Sequence, residues 1–535
     1  ALLQPIHAAH LFTHALQQKL VQPETVALAA QVESSLGSSE ALLAGLLALH
    51  CLFDAHRPLS ERWLRAAATG VPTLVLIAVV VGMAYPLQAG INATIAQHHG
   101  HPLLAALTNT TVASLALLVL IVVLRVPLPA AVQVAAAPWW AWTGGLLELP
   151  AGYVEGQPLV NPYPDDKPLF TITAANYEQY KDNLSPGQIA LLQRYPDTFR
   201  MPVYETRRSA AYPEELYAAF KEDAITARTT DGGNGLANVD SYLPFPIPKS
   251  GIEVIWNHVT RYRGGSVRRV YAQIPVQANG AFSPVILDEQ LTFANELPGS
   301  PENRLFYFKQ AIRAPATLEG DVLLAHENIN QIPQPRAAWS YNAGQRRVRR
   351  APDVAYDGPG TASDGLRTSD DLDLFNGAPN KYNWELVGKK EMYIPYNAYK
   401  LLDKNLSYKD IVLKGHLNPD YLRYELHRVW VVEGRLKKDA RHVYSRRVFY
   451  VDEDSWQISV SDSYDLEGGL WRTAMAHGLN YYTVPVHLST LEVFHDLEEQ
   501  RYYVDGLDNR RAPYEFLEGA DPREFSPNAL PYYVR

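Results

Sequence analysis

The sequence predicts a mainly β protein: a large curved antiparallel sheet with covering helices, preceded by an α-helical N-terminal region. Ala, Leu and Val dominate up to about residue 128, while Tyr, Arg, Asp and Pro become frequent from about residue 148. After Gly251, apolar and polar residues alternate in segments separated by short turn signals, which is typical of antiparallel strands. Several segments are long, 421–436 especially. A long, strongly curved sheet with few helices tends to form an incomplete barrel around a cavity.

Charge and cysteine content exclude some classes of protein. The 535 residues carry a formal net charge of −9, so no basic surplus indicates a nucleic-acid partner. The single cysteine, Cys51, cannot form an internal disulfide bond. This content suits the cytoplasm, or a periplasmic domain that is large enough to bury a core without disulfides.

Residues 1–68 form the predicted helical segment, with amphipathic stretches at about 4–20 and 24–52. The run Leu2-Leu3-Gln4-Pro5 and the residues up to about 55 resemble the dimerisation helix of hybrid sensor histidine kinases. In those proteins the phosphoacceptor histidine precedes this run, so it would lie before residue 1 here. His7, His10 and His14 are therefore expected to be helix-surface histidines, and we expect no signalling activity.

Residues 69–128 are predicted to form a two-helix membrane hairpin. Two almost uncharged runs, 71–96 and 103–126, are each long enough to cross a hydrocarbon core of roughly 30 Å. Arginines before the first run, and Arg125 at the end of the second, predict that both ends face the cytoplasm, with the hairpin in the inner membrane. With Gln88 and Asn92 inside the first run, residues 70–146 resemble part of a small drug/metabolite-transporter-like membrane protein. This resemblance implies an alternative function, as a component of a membrane transport system that uses the hairpin.

Residues 129–168 are predicted to be a linker and seam, in which several prolines oppose long regular elements. The run Ala141-Trp142-Thr143-Gly144-Gly145-Leu146 belongs both to the transporter-like resemblance and to that of the domain that follows. We therefore expect two separately derived sequences to be joined here, and function to reside on the C-terminal side.

Residues 169–535 form the predicted β domain. Helices are expected at about 174–183, 185–194 and 213–223, the second beginning at a Ser185-Pro186 cap. Ile252, Val254 and Trp256 alternate as on one face of a strand, and Gly264-Gly265 indicates a hairpin turn. Further strands are expected at about 266–276, 304–313, 321–329, 337–342, 345–351, 391–401, 421–436, 441–452, 456–464, 469–478 and 487–494.

The β domain contains several long and distinctive runs. Among them are Arg194-Tyr195-Pro196-Asp197-Thr198, Val254-Ile255-Trp256-Asn257-His258, Tyr341-Asn342-Ala343-Gly344-Gln345 and Tyr450-Val451-Asp452-Glu453-Asp454. On these runs, residues 141–535 resemble a Gram-negative periplasmic family, the domain-of-unknown-function family 1329. That family resembles the lipoprotein carriers LolA and LolB, in which helices close an incomplete barrel around an apolar cavity.

The resemblance implies a non-enzymatic function: binding or carriage of a lipid, lipoprotein or other hydrophobic ligand in outer-membrane trafficking. It implies a periplasmic β domain whose partners are an RND-type exporter and an outer-membrane barrel protein. No catalytic residue, metal ligand or cofactor is expected, since no Gly-x-Ser-x-Gly occurs and the glycine-rich run 231–235 lacks the lysine of a P-loop. A solid core without any cavity would contradict the carrier function.

The expected ligand-binding residues are large aromatics and two arginines. Aromatic side chains bury large areas against apolar ligands, and guanidinium groups bind phosphate in bidentate fashion. Arg347 and Arg349 are expected to share one face of a strand, either as a headgroup clamp or as partners of acidic residues on neighbouring strands. The predicted set is Trp256, Tyr262, Phe306, Phe308, Trp339, Tyr341, Arg347, Arg349 and Trp430.

Two other groups of polar residues are expected to be structural. The acidic stretch 357–373 does not fit the ligand spacing of an EF-hand and is expected to be a solvated loop. Four dispersed histidines are expected to be ordinary core or surface residues: His258, His326, His427 and His442.

Overall fold

The computed structural model describes residues 159–239, 242–351, 356–512 and 514–533. These residues belong to the compact unit Trp139–Arg535. The predicted helical segment 1–68, the hairpin 69–128 and the seam up to residue 158 lie outside the described residues and stay predictions. Within the described part of the chain, no helix combines the length and the apolar character that crossing a membrane requires.

Strands dominate the described residues, and most of them join one sheet. In chain order, β1 to β18 are Phe170–Ile172, Met201–Val203, Arg228–Thr230, Gly235–Ala237, Ser266–Val276, Val285–Phe293, Arg304–Ala314, Val322–Asn328, Ala337–Asn342, Arg347–Arg350, Tyr382–Pro395, Tyr424–Leu436, Arg446–Asp452, Ile458–Tyr464, Leu470–Tyr481, Val486–Asp496, Arg501–Leu507 and Glu515–Phe516. β3 and β4 form a separate two-stranded sheet. The other strands form a 16-stranded sheet in the order β1-β2-β12-β13-β14-β15-β16-β17-β5-β6-β7-β8-β9-β10, with β11 beside β12 and β18 beside β5.

This large sheet is open, because its terminal strands β1 and β10 do not pair with each other. The ladders from β12 to β17 and from β5 to β10 are antiparallel. A single parallel contact joins β2 to β12 and makes the sheet mixed. The prediction of a mainly β fold with a large, incompletely closed sheet is confirmed.

Among the residues that the structure describes, helices are few and short. The α-helices are α1 Pro186–Arg194, α2 Leu216–Thr226, α3 Gly251–Thr260 and α4 Tyr408–Ile411. The 3-10 helices are Tyr177–Gln179, Lys181–Asn183, Asp231–Gly233, Ala294–Glu296, Ser369–Leu374, Pro379–Lys381, Tyr399–Leu402, Pro419–Tyr421, Pro522–Phe525 and Pro527–Tyr532. α1 begins where the sequence predicts, because Ser185 and Gln188 form a reciprocal capping box.

The sheet is buried on both faces, since adjacent residues of one strand enter different cores. Met475 of β15 belongs to the core that contains α1, whereas Ala474 belongs to the core that contains α3. Tyr502 and Tyr503 of β17 divide in the same way. We call these two sides of the sheet the α1 face and the α3 face. Burial on both faces gives strands such as β16 an unbroken run of buried residues.

The strand expected around residues 252–262 is wrong, because residues 251–260 form α3. Every residue from Val254 to Thr260 is buried. A helix that is surrounded by protein has no polar face, so its 3.6-residue period is hidden. Half of its ten residues are β-branched, a feature that by itself favours a strand: Ile252, Val254, Ile255, Val259 and Thr260.

Other boundaries differ for local reasons. The helix expected at 174–183 is two 3-10 turns, and α2 begins three residues later than expected. The strand expected at 391–401 is β11, which starts at Tyr382 and ends at Pro395. β6 was not expected, because its centre is the polar run Asp288-Glu289-Gln290. All three of those side chains are buried.

Candidate functional site

Residues 366–371 of the acidic stretch are mostly buried on the α3 face rather than solvated, which corrects the expectation for this part of 357–373, while Asp364 is exposed. Asp370 and Asp371 are 1% and 5% exposed. Both pair with Arg447, whose Nη1 atom lies 3.1 Å from Asp370. His442 Nε2 is also 3.1 Å from the Asp370 carboxylate. Burial alone would raise the pKa of Asp370, but Arg447 and His442 outweigh it and hold that pKa below its usual range.

Asp373 holds two further buried arginines. Its carboxylate accepts two hydrogen bonds of 2.7 Å from Arg261 and one of 3.1 Å from Arg263. Its backbone φ of 56° lies in the left-handed region, which aspartate tolerates better than most residues. Burial alone would raise the pKa of Asp373, but Arg261, His258 and Arg263 together lower it. Residues 366–373 are therefore an ion-paired plug against the sheet.

This plug leaves little empty space on the α3 face. One cavity of about 60 Å³ is lined by Phe308, Arg263 and Glu492, among others, and a second of about 50 Å³ is lined by Phe306 and Arg367. Both are far smaller than the roughly 300–1,000 Å³ of typical ligand pockets. At these two places the expectation that the curved sheet encloses a lipid-sized apolar cavity is not met. Charged side chains occupy the space beside the sheet instead.

A wider cleft lies at one end of the α3 face. It has a volume of about 290 Å³ and is bounded by the end of α3, the connection between β6 and β7 and the chain after β4. Its walls are mainly apolar: Leu236, Val239, Tyr242, Phe293, Leu305 and Ile329. We call this space the β6–β7 cleft. Its volume is near the lower limit for a small-ligand pocket.

Arg304 gives the β6–β7 cleft a positively charged group. Its side chain lines the cleft, and its guanidinium lies over the Tyr307 ring at 5.1 Å. The Nε and Nη1 atoms are buried and have no hydrogen-bond partner among the described residues. Burial lowers the pKa of Arg304 below its usual value, although an arginine remains charged at neutral pH. Unsatisfied buried donors are costly, and an anionic group of a ligand would satisfy them.

Two of the predicted ligand-binding residues are one aromatic ring away from this cleft. Tyr262 contacts the cleft residue Tyr242 with ring centroids 5.0 Å apart. Phe306 contacts the cleft residue Phe293 at 5.9 Å. Trp256 lies in the same core but is a helical residue, whose Nε1 atom donates to the Gly233 carbonyl at 2.9 Å.

The other predicted residues are dispersed. The register places Phe308 opposite Ala325 and Leu324 opposite Trp339, so Trp339 and Tyr341 lie on the opposite face of the sheet from Phe306 and Phe308. The ring of Trp430 in β12 is stacked with that of Trp456. The Lys389 ammonium lies 4.0 Å from the centroid of the Trp430 ring. The predicted aromatics therefore do not form a single site.

The arginine cluster forms an exposed edge. Arg347 and Arg349 share one face of β10 as expected, while Val348 packs on the other face. Arg346 belongs to the preceding turn with a φ of 53°. Arg349 donates to Gln345 at 2.9 Å. Arg347 and Arg349 do not line the β6–β7 cleft, and neither forms an ion pair with another described residue.

Sequence reasoning missed most of the cleft. Leu236 comes from the three-residue strand β4, and Val239 and Tyr242 come from the irregular chain that follows it. Arg304 resembles any polar residue at the start of a strand. The sequence signal that could have pointed to Arg304 is its place between a turn and the apolar residue Leu305. Only the packed structure shows that the Arg304 N–H donors lack hydrogen-bond partners among the described residues.

The histidines lie in hydrogen-bonded positions. Burial lowers the pKa of His258 to about 3. His326 Nε2 lies 2.7 Å from the Phe525 carbonyl oxygen. His427 differs from both, because carboxylates surround it: Glu425 lies 3.2 Å from its Nε2 atom and Asp452 lies 3.7 Å from its Nδ1 atom. Of the described residues, His427, Asp452 and Asp454 form a group whose ligand atoms lie within 4.8 Å of one another.

Comparison with known proteins assigns the family. Residues 171–531 match the family described as "Protein of unknown function (DUF1329)". The chain belongs to the DUF1329 family. A Pseudomonas aeruginosa relative, "Uncharacterized protein PA3922", is 53% identical over 396 residues, which cover 73% of this chain and 87% of that protein. Residues 73–154 match a second family, "Putative inner membrane exporter, YdcZ", which confirms the transporter-like resemblance of this DUF1329 chain.

Three solved structures are similar to this DUF1329 protein at low identity. A "putative outer membrane lipoprotein-sorting protein domain" from Vibrio parahaemolyticus has a TM-score of 0.38 and 15% identity over 52% of this chain and 98% of that chain. A DUF1329 protein from Desulfovibrio piger has a TM-score of 0.36 and 13% identity over 59% and 100%. A LolA superfamily protein from Nitrosomonas europaea has a TM-score of 0.32 and 12% identity over 52% and 98%.

Proposed function

We propose that the β domain is a non-enzymatic periplasmic binding protein for a lipid-like ligand with an anionic group. One observation carries this proposal: the β6–β7 cleft combines apolar walls with buried Arg304 donors that have no partner among the described residues. An apolar chain would contact Leu305 and Phe293, and a carboxylate or phosphate would accept hydrogen bonds from Arg304.

The size of the cleft limits what can bind. About 290 Å³ holds one short acyl chain or the end of a longer one, rather than a whole phospholipid. Carriage of a complete lipid or lipoprotein therefore requires that part of the ligand remain outside this cleft. Glu302 is exposed and also lines the cleft.

Binding of dodecanoate, compared with dodecanol, tests the role of Arg304. In calorimetric titrations we expect the wild type to prefer dodecanoate, since the alcohol cannot pair with a guanidinium. Arg304→Gln should weaken dodecanoate binding by about tenfold or more, because a hydrogen bond to a charged group contributes about 1.5–3 kcal/mol. Dodecanol binding should change little.

Two matched variants serve as controls. Arg349→Gln removes an exposed arginine outside the cleft and should leave dodecanoate binding unchanged. Glu302→Gln removes a negative charge at the cleft and should not weaken it. Failure of the wild type to bind dodecanoate, or equal losses in Arg304→Gln and Arg349→Gln, would contradict the proposal.

The partners and the alternative function stay separate proposals. A role beside an RND-type exporter and an outer-membrane barrel protein rests on the resemblance alone, and cell fractionation tests the periplasmic location. The alternative, a membrane transport component, rests on the YdcZ match over residues 73–154. It predicts that deletion of this stretch abolishes transport while dodecanoate binding by the β domain persists.

A further inference from the structure

The strand β10 forms one open end of the large sheet. It pairs with β9 on its inner side, and no described strand pairs with its outer side. The Ala351 N–H donates inwards, to the Ala338 carbonyl at 2.8 Å. Backbone groups alternate in direction along an antiparallel strand, so the N–H and C=O groups of Val348 and Arg350 point outwards. No described backbone group bonds to them there.

Four arginines surround this edge without neutralisation by the described residues. Arg346, Arg347, Arg349 and Arg350 are all exposed. None of them forms an ion pair with a described carboxylate. Arg349 donates to the neutral side chain of Gln345 at 2.9 Å. The edge therefore concentrates positive charge on a chain whose formal net charge is −9.

These charges lie on both faces of the edge. Arg347 and Arg349 share one face of the sheet, whereas Arg350 shares the other face with Val348. The Arg350 guanidinium lies over the Trp339 ring, 6.0 Å from its centroid. A membrane laid against one face would meet only the arginines of that face. An extended chain laid along the edge reaches the outward backbone groups and has arginines on both of its sides.

The edge is held in place before anything binds to it. In the turn before β10, Asn342 Oδ1 accepts from the Gln345 N–H at 2.9 Å, and Asp321 Oδ1 accepts from the Ala343 N–H at 2.8 Å. Val348 packs into the small core that the C-terminal 3-10 helices cover. A surface that is already ordered avoids part of the entropic cost of association.

We propose that β10 binds an acidic, extended segment of a partner protein, which adds a strand to the sheet and carries aspartate or glutamate at alternate positions. Backbone hydrogen bonds to Val348 and Arg350 set the register, and carboxylates opposite Arg347 and Arg349 pair with the guanidinium groups. This surface is separate from the β6–β7 cleft and does not depend on the ligand proposed there.

The same charges select against other occupants. A second copy of β10 does not fit, because antiparallel pairing of two such strands would place arginines opposite arginines. Charged residues on an edge strand prevent pairing with neutral chains. At this edge they admit a segment of opposite charge.

Peptide binding to the full chain tests this surface. The probe is a fluorescein-labelled peptide of about eight residues, the length of an ordinary strand, in which glutamate alternates with valine. Fluorescence anisotropy should show saturable binding that weakens as the salt concentration rises. The same peptide with glutamine in place of glutamate should bind about tenfold more weakly or less, because its neutral side chains form weaker hydrogen bonds with guanidinium groups.

A double variant and its matched control locate the binding surface. Arg347→Gln with Arg349→Gln should weaken binding of the glutamate peptide by about tenfold or more, since two charge-assisted contacts are lost. Arg228→Gln with Arg510→Gln removes two exposed arginines elsewhere and should bind this peptide as the wild type does. Equal losses in the two double variants would overturn the proposal.

Two changes at one exposed position separate strand addition from attraction between charges. Arg350→Gln removes the charge, while Arg350→Pro removes the charge together with the outward N–H, which edge strands tolerate. Arg350→Pro should bind the glutamate peptide about threefold more weakly than Arg350→Gln, because one more hydrogen bond is lost. Similar midpoints of urea unfolding show that both variants are folded.

Three results contradict strand addition at β10. They are failure of the wild type to bind the glutamate peptide, equal binding of the glutamine peptide, and equal affinities of the two Arg350 variants. Binding to phosphatidylglycerol vesicles without binding to the peptide would also overturn the proposal, in favour of a membrane surface.

Discussion

Replacing Asp373 by asparagine probes the buried ion pairs of the α3 face. One carboxylate serves two guanidinium groups, and Arg261 and Arg263 are only 1% and 7% exposed. Asparagine keeps the size of the side chain and tolerates the left-handed backbone, so the change removes mainly the charge. The two arginines then remain buried without an anion.

The expected loss follows from the burial of the group. Removing one partner of a buried ion pair costs about 3–5 kcal/mol. Asp373 is 13% exposed at its side chain, and the amide oxygen of asparagine still accepts one hydrogen bond, so we expect the lower end, about 3 kcal/mol. Because the carboxyl pKa is lowered on folding, this contribution is present above the ordinary pKa and is lost as the pH falls through the folded value.

Urea unfolding followed by tryptophan fluorescence at neutral pH measures the loss. Asp364→Asn is the matched control, because Asp364 also has a positive φ, of 52°, and also pairs with an arginine, Arg501, but is 54% exposed at its side chain. That exposed pair should contribute less than about 1 kcal/mol. Equal losses in Asp373→Asn and Asp364→Asn would refute the view that the plug is held by buried charge.

Two further changes test the interior. Burial, together with neighbouring carboxylates, raises the pKa of Glu492 to about 8, so its contribution to stability is full below the ordinary pKa and is lost as the pH rises through 8. Glu492→Gln should therefore raise the free energy of unfolding by roughly 2–4 kcal/mol at pH 9 and flatten its pH dependence, whereas exposed Glu499→Gln should do neither. In Gly187→Ala the new Cβ would lie 2.1 Å from Thr473 Oγ1, so α1 must shift, at a cost of about 1–3 kcal/mol in thermal or urea unfolding. In Gly344→Ala the added Cβ would have its nearest neighbour 3.5 Å away, so stability should change by less than about 0.5 kcal/mol. An equal loss in both variants would show that the close contact at Gly187 is not the cause of the destabilisation.

The strands that alternate cleanly were predicted well. β9 and β12 lie within a few residues of their expected bounds, because turn residues interrupt the pattern at both ends. β6 and α3 were missed for opposite reasons. β6 buries a polar run that resembles a loop, and α3 is buried from Val254 to Thr260, so it lacks a solvent-facing polar side and resembles a strand.

The site was predicted only in part. Tyr262 and Phe306 lie next to the cleft, but Trp339 and Tyr341 lie on the other face of the sheet, since a strand residue changes face with each step of register. Arg304, which supplies the charge of the cleft, was not singled out. Its role depends on which donors remain unpaired after packing, and no spacing in the sequence encodes that.

Part of this structure follows from interactions between residues that are close in sequence. The alternation of residues along the strands and the Ser185 cap follow from the order of side chains, because they depend on neighbours in sequence. The match to the DUF1329 family over residues 171–531 also follows from the sequence alone. The plug, the β6–β7 cleft and the group around His427 arise from residues far apart in the chain, such as Arg261 with Asp373. Long-range packing decides which of those charges meet and which stay unpaired.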